Sequence, residues 1–144
     1  MSAAALEVVR EIYDAFARRD GATILGRLHA DVEFHQTELL PWGGHYRGHD
    51  GVREFFARLL GAIDSAVTVE RFIDAGDHVA VVGRTRGHTR NGGVPFDVAI
   101  VHVWTVRDAR ISRFEAYIDT PAMLAALAPA DPPATPGRAG RESG

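Results

Sequence analysis

The amino-acid sequence predicts an α+β fold, in which helices pack on one face of a mostly antiparallel sheet. Apolar residues recur at helical spacing in the first half of the chain, whereas turns separate strand-like runs in the second half. The segment Val94 to Asp119 contains two apolar runs joined by a polar turn. Alternate residues of the first run are mostly apolar on both sides, so both faces of this sheet must be covered. We expect helices and a small-molecule cavity on one face, and a partner subunit on the other.

Composition excludes several classes of protein. The 144 residues suit one domain, and the absence of cysteine excludes disulfides and thiolate chemistry. A net charge of −3 argues against a nucleic-acid-binding protein, which needs a basic face. No apolar run approaches the ~20 residues of a membrane helix, and the first residues do not resemble a signal peptide. We therefore expect a soluble cytoplasmic protein that binds neither nucleic acid nor membrane.

Three helices are predicted before the sheet. The apolar stripe of the first helix is formed by Leu6, Val9, Tyr13 and Phe16. Asp20-Gly21 interrupts this pattern, and a shorter second helix follows that ends near His29. Asp50 is a candidate N-cap of the third helix. The buried side of the third helix is predicted to consist of Val52, Phe55, Phe56, Leu59, Leu60 and Ile63.

The strands follow from apolar alternation and turn residues. A short strand is predicted from Val32 to Gln36, and the Gly- and Pro-rich residues 41–48 predict a loop. Further strands are predicted from Val67 to Asp74 and from Val79 to Thr89. Asn91-Gly92-Gly93 is a hairpin turn that leads into the pair of strands within Val94 to Asp119.

The C-terminal region divides at residue 128. Thr120-Pro121 is typical of a helix start, so a short last helix is predicted from Ala122 to Leu127. Residues 129–144 have no aromatic or β-branched apolar residue and cannot bury enough surface to fold. The sequence therefore predicts one domain, residues 1–128, and a disordered tail, residues 129–144.

Three segments together resemble a known family. They are Arg19-Asp20-Gly21, Tyr46-Arg47-Gly48-His49-Asp50-Gly51-Val52, and Phe114-Glu115-Ala116-Tyr117-Ile118-Asp119 after Trp104. In order and spacing they are similar to the SnoaL-like branch of the nuclear transport factor 2-like superfamily, which includes ketosteroid isomerase, limonene-epoxide hydrolase and polyketide cyclases. The resemblance covers residues 5 to 128. It implies a cone-shaped, strongly curved sheet wrapped around the three N-terminal helices, with a pocket at the wide end.

The catalytic residues of these relatives are not retained. Where the isomerase has its oxyanion tyrosine and two aspartates, this chain has Ile12, Gln36 and Val101. The catalytic aspartate of the hydrolase corresponds to Ala116. A glutamine cannot accept a carbon-bound proton as a carboxylate does, so ordinary steroid isomerisation is not expected.

The resemblance also implies which residues face the pocket. Asp97, His88 and Arg84 are the predicted catalytic residues: Asp97 or His88 would move a proton, and Arg84 would stabilise an oxyanion. The alternative is a structural Asp–Arg pair at the wide end of the sheet. The predicted substrate-binding residues are Tyr13, Phe34, Gln36, Trp42, Tyr46, Phe55, Val101, Phe114 and Ile118.

Two further expectations concern partners. His102 and Trp104 are predicted to lie on the convex sheet face, where the partner of a homodimer would cover them. His45-x-x-x-His49 has a spacing that could suit a metal on a helix, but it lies in the predicted loop. Because the other histidines show no ligand grouping in the sequence, no metal site is expected.

Two functional hypotheses remain open. The first is an enzyme without a cofactor, an isomerase, polyketide-type cyclase or hydrolase, that acts on a hydrophobic oxygenated substrate in an apolar pocket. The second is a non-catalytic small-ligand-binding or dimerisation module of the same fold. The missing acids favour the second hypothesis, and the charged residues expected in the pocket favour the first.

Overall fold

The computed structural model describes residues 2–128, so the predicted tail lies outside the described residues. The helices are α1 (Ser2–Ala17), α2 (Gly21–Gly26), α3 (Gly48–Ala62) and α4 (Thr120–Leu127). The strands are β1 (Leu28–Gln36), β2 (Gly44–Arg47), β3 (Ile63–Ala75), β4 (His78–Thr89), β5 (Pro95–Arg107) and β6 (Arg110–Ile118).

The six strands form one sheet in the order β2-β1-β6-β5-β4-β3. Only β1 and β6 are parallel among these neighbours; the other pairs are antiparallel. Register shifts interrupt three of the pairings, and such irregularities bend strands. The curved, unclosed sheet packs its inner face against the N-terminal helices, which confirms the predicted α+β class.

Several boundaries differ from the sequence prediction. Strand β3 begins at Ile63, which was assigned to the third helix, and not at Val67. The second helix ends at Gly26, and β1 begins at Leu28, because the apolar Leu28 is buried as a strand residue. The predicted loop at 41–48 contains the short strand β2, which pairs with the end of β1. Asp50 lies in the first turn of α3 and does not cap it, since the helix already begins at Gly48.

The predicted orientation of β4 and β5 is wrong. The inner side of β5 is formed by Phe96, Val98, Ile100, His102, Trp104 and Val106, which were expected to face outward. A shift of one residue moves every side chain of a strand to the opposite face. The bulkier apolar side of β5 covers the helices, because burying that side removes more apolar surface from water.

The predicted catalytic residues consequently lie on the outer face. Arg84 Nε donates to Asp97 Oδ1 at 2.6 Å, and Arg86 Nε lies 3.2 Å from Asp97 Oδ2. His88 Nε2 is 3.9 Å from Asp64 Oδ2, also at an exposed position. Arg84 beside Asp97 lowers the pKa of that carboxyl. The Arg84–Asp97 pair is the structural ion pair given above as the alternative. Val101, a predicted substrate-binding residue, also lies on the outer side of β5.

Glycines explain the inner side of β4. A Cβ atom at Gly87 would lie 1.9 Å from the backbone oxygen of Asp64, and one at Gly83 would lie 2.2 Å from that of Thr68. The backbone of β3 therefore approaches the inner side of β4 too closely for a side chain. Because glycine gives no apolar signal, the sequence pattern wrongly favours the inner side for the neighbouring residues Arg84 and Arg86.

Candidate functional site

An apolar cavity lies between the inner face of the sheet and helices α1 and α3. About 90 Å³ of free space in it is accessible to a water-sized molecule. Aromatic residues form much of its wall: Tyr13, Phe16, Phe34, Trp42, Phe55, Phe56, Trp104 and Phe114. Its polar side chains besides Tyr13 and Trp104 are Gln36, Ser65, Thr85 and His102. No carboxylate, lysine or arginine from residues 2–128 lines it.

Tyr13, His102 and Trp104 form a hydrogen-bonded cluster in the cavity wall. The Tyr13 hydroxyl lies 2.6 Å from His102 Nδ1 and accepts a hydrogen bond from Trp104 Nε1 at 2.9 Å. The rings of Tyr13 and His102 are nearly parallel, with centroids 5.9 Å apart, and the Trp104 ring meets Tyr13 edge-on. Helix α1 and strand β5 thus place three polar groups at one point of an apolar wall.

The cluster is uncharged at neutral pH. Burial lowers the pKa of His102 to about 3 and raises the pKa of Tyr13 well above its usual value. The Trp104 indole can only donate, so the Tyr13 oxygen is its acceptor. The hydroxyl hydrogen of Tyr13 remains available, and we assign it as the donor to His102 Nδ1. The imidazole then carries its proton on Nε2, for which the described residues offer no hydrogen-bond partner.

The aromatic wall has a well-packed centre. Phe114 contacts both Trp104 and Phe34, with ring centroids 4.3 Å and 4.7 Å apart. Phe55 meets Phe34 edge-on at 5.4 Å, and His102 meets Phe114 at 5.0 Å. These tilted and edge-on rings make the wall apolar and aromatic, which suits a hydrophobic ligand.

Loop 37–43 closes one side of the cavity through Trp42, which is almost fully buried. The Tyr46 hydroxyl donates to the backbone oxygen of Gly43 at 3.0 Å or of Trp42 at 3.1 Å. Tyr46 therefore holds the loop from behind and does not line the cavity, unlike the prediction from the sequence.

Of the nine predicted substrate-binding residues, all but Tyr46 and Val101 lie at the cavity. Seven of the predicted substrate-binding residues line the cavity, and their contact with a ligand stays a prediction: Tyr13, Phe34, Gln36, Trp42, Phe55, Phe114 and Ile118. Sequence analysis missed His102 and Trp104, since it placed them on the convex face. The signal for them was the stronger apolar character of the side of β5 that contains them.

Two further groups of polar residues lie outside the cavity lining. Asp119 caps α4, because its carboxylate accepts a hydrogen bond from the Ala122 backbone nitrogen at 3.2 Å. Possible metal ligands from residues 2–128 come together outside the cavity, at Glu33, His35 and His45.

The curved sheet and the cavity on its inner face define an α+β domain of the cone-shaped class. A family model, SnoaL-like domain, matches residues 9–114. The chain belongs to the SnoaL-like family, as its sequence motifs indicated. None of the described helices is long and apolar enough to cross a membrane.

Solved structures with similar sequences have the same fold. An NTF2-like protein of unknown function from Burkholderia pseudomallei is 31% identical with a TM-score of 0.82, over 88% of this chain and 98% of that one. An NTF2-like protein from Burkholderia thailandensis is 32% identical with a TM-score of 0.81, over 87% and 98%. TerC, co-crystallised with polyporic acid, is 31% identical with a TM-score of 0.80, over 86% and 98%. No curated protein matches the chain.

Proposed function

We propose that the protein is an enzyme that binds a hydrophobic, oxygenated small molecule in the apolar cavity. His102 would polarise an oxygen atom of this substrate, in an isomerisation, a cyclisation or a hydrolysis. The observation that carries the proposal is the Tyr13–His102–Trp104 cluster, which presents an uncharged imidazole within an aromatic wall.

The cavity selects the substrate class. Its wall is overwhelmingly apolar, and its described polar groups are all neutral at pH 7. A charged ligand would lose its hydration without gaining a counterion, whereas a neutral aromatic ligand with a carbonyl or hydroxyl group would not. TerC, to which this chain is similar, was co-crystallised with polyporic acid, and that aromatic compound supplies a first probe.

His102 would act as a hydrogen-bond donor. The Tyr13 hydroxyl occupies Nδ1, so Nε2–H is the group left to meet a substrate oxygen. A neutral imidazole N–H in a site of low dielectric constant stabilises negative charge that develops on oxygen. Gln36, which is buried at the cavity wall, would orient the substrate or a water molecule.

A non-catalytic ligand-binding module is the second candidate. It is favoured by the absence of any carboxylate among the described cavity residues, since the family's acids are missing and Asp97 lies outside. The two candidates agree on the cavity and on the class of ligand. They differ only in whether the bound molecule is converted.

One experiment separates the candidates. Both tryptophans of the chain, Trp42 and Trp104, line the cavity, so intrinsic fluorescence reports ligand entry. We expect polyporic acid, or another compound from a panel of hydrophobic carbonyl compounds, to quench this fluorescence in a saturable way. Compounds that bind are then incubated with the protein and analysed for products by chromatography and mass spectrometry.

Variants assign the chemistry. His102→Asn retains an acceptor for Tyr13 but removes Nε2–H, and should lower turnover by about 10²-fold while binding persists. Asp97→Asn is the matched control on the outer face and should retain turnover. Binding without conversion of any ligand would favour the binding module. Saturable binding that leaves tryptophan fluorescence unchanged would contradict both candidates.

We also propose a cytoplasmic homodimer that pairs through the outer sheet face. His102 and Trp104 do not contribute to that face, but Val101 and Tyr117 keep 38% and 54% of their surface exposed on it. These side chains offer apolar contact area at the centre of the sheet. Light scattering on the purified chain checks the dimer, and a monomer at all concentrations would contradict it.

A further inference from the structure

Three potential metal ligands converge on the outer face of β1 and β2. Glu33 and His35 lie two residues apart on β1 and therefore point to the same side. His45 of β2 is the direct cross-strand partner of His35, and the two imidazole rings stack with centroids 3.9 Å apart. Each ring directs Nε2 toward Oε1 of Glu33.

His35 and Glu33 form a long hydrogen bond, and the distances also fit coordination of one shared cation. His35 Nε2 lies 3.4 Å and His45 Nε2 lies 3.5 Å from Glu33 Oε1. Both separations exceed the usual limit of about 3.2 Å for a good N–H···O bond. In a tetrahedral Zn²⁺ site with ligands about 2.0–2.1 Å from the metal, neighbouring ligand atoms lie about 3.4 Å apart. The three ligand atoms lie within 4.8 Å of one another.

The surrounding charges leave Oε1 available. Arg47 Nη2 binds the other carboxylate oxygen, Oε2, at 2.8 Å and fixes the orientation of Glu33, as outer-shell residues do at metal sites. Arg113 Nη1 is 3.5 Å from Oε1, but its stronger contact is to Glu115, from Nε to Oε2 at 2.6 Å. A cation at Oε1 would therefore replace two long contacts of this oxygen, those with Arg113 and with His35.

We propose that Glu33, His35 and His45 form a site for Zn²⁺ or a similar divalent transition metal on the outer sheet face. Two imidazoles and one carboxylate favour such metals over Mg²⁺ and Ca²⁺, which prefer oxygen ligands only. The sequence did not indicate this site, because its ligands become neighbours only when β2 pairs with β1. His49, the other histidine of the sequence motif, instead contacts the backbone oxygen of Leu28.

The metal would join the two ends of loop 37–43. His35 lies just before this loop, and His45 lies just after it on the edge strand β2. The loop carries Trp42, which lines the cavity. Metal binding would thus stabilise the short β1–β2 pairing and, through it, one wall of the cavity.

Zinc titration of the tag-free full chain tests the site. We expect one Zn²⁺ per chain by calorimetry and a rise in Tm on its addition. His35→Ala and His45→Ala should each weaken binding at least about tenfold and abolish the rise in Tm. His78→Ala is the matched control, because His78 is an exposed histidine at the start of β4, outside the cluster.

Two further readouts keep the test decisive. Co²⁺ added to the metal-free chain should give the visible absorption of a tetrahedral site, and His45→Ala should remove it. His45 is 53% exposed, so its truncation should leave the circular dichroism spectrum unchanged. The absence of zinc binding in the parent chain would overturn the proposal. Equal zinc affinity in the parent, His35→Ala and His45→Ala would also overturn it.

Discussion

Mild acid should destabilise this protein through a single histidine. His102 has a pKa of about 3 in the folded state because desolvation in the cavity wall disfavours the imidazolium, against about 6.5 in an unfolded chain. Between these values the unfolded state binds one more proton than the folded state. Stability from this group is therefore complete above pH 6.5 and is lost as the pH falls. No carboxylate of the described cavity lining could compensate an imidazolium.

The magnitude follows from linkage. Between pH 7 and pH 5, a group with these two pKa values lowers the free energy of unfolding by about 2 kcal/mol. Any folded-state pKa below about 4 gives nearly the same figure, because the folded protein then binds almost no proton at this group down to pH 5. The carboxylates whose pKa the fold lowers, such as Glu33, Glu115 and Asp97, lose their stabilising effect at lower pH.

Urea unfolding of the parent chain and of His102→Asn at pH 7 and pH 5 measures this term. The asparagine places an oxygen near the position of Nδ1, so it can accept from Tyr13, and it does not titrate. We expect the parent chain to lose about 2 kcal/mol more than the variant over this interval. The other histidines are common to both proteins and cancel. An equal loss in both proteins would refute the assignment of a buried neutral imidazole.

Two backbone positions give further predictions, each checked by urea unfolding. Ala109 has φ 60° in the β5–β6 turn, a conformation that is strained for a residue with a Cβ atom. Ala109→Gly should therefore stabilise the fold by about 0.5–1 kcal/mol. A loss of stability would contradict this conformation. Gly87→Ala should destabilise it by about 1–3 kcal/mol, because the new Cβ would meet the Asp64 backbone. Gly61→Ala in α3 is the control: it meets no atom within 4 Å and should be neutral or stabilising.

The sequence predicted the fold and the inner sides of β1 and β6, but not those of β4 and β5. Phe34 and Phe114 are large apolar residues with polar neighbours, so the alternation of these strands has one solution. In β5 both sides are mostly apolar, and alternation alone does not fix the orientation. In β4 the inner side contains Gly83 and Gly87, whose small size reflects contact with the β3 backbone and is not evident from polarity.

Contacts between segments that are distant in the chain could not be predicted from the sequence either. Tyr13 and His102 are 89 residues apart, and only the packing of α1 across β5 brings the hydroxyl to the imidazole. The cluster of Glu33, His35 and His45 depends in the same way on the pairing of β1 with β2. Strand β2 has four residues within a Gly- and Pro-rich segment, so local propensity favours a loop there. Pairing of this segment with β1 at the edge of the sheet outweighs that propensity.

The neutral cavity narrows the proposed chemistry. Because the pKa of His102 is lowered to about 3, protonating it at pH 7 costs about 5 kcal/mol, which makes it a poor base for a proton taken from a substrate. His102 would therefore stabilise an oxyanion without acting as the base. The proton must then move between groups of the substrate itself, as in a cyclisation, or through a water molecule held by Gln36, as in a hydrolysis. Both routes fit a chain in which Gln36 replaces the isomerase's aspartate, and they favour a cyclase or hydrolase over an isomerase.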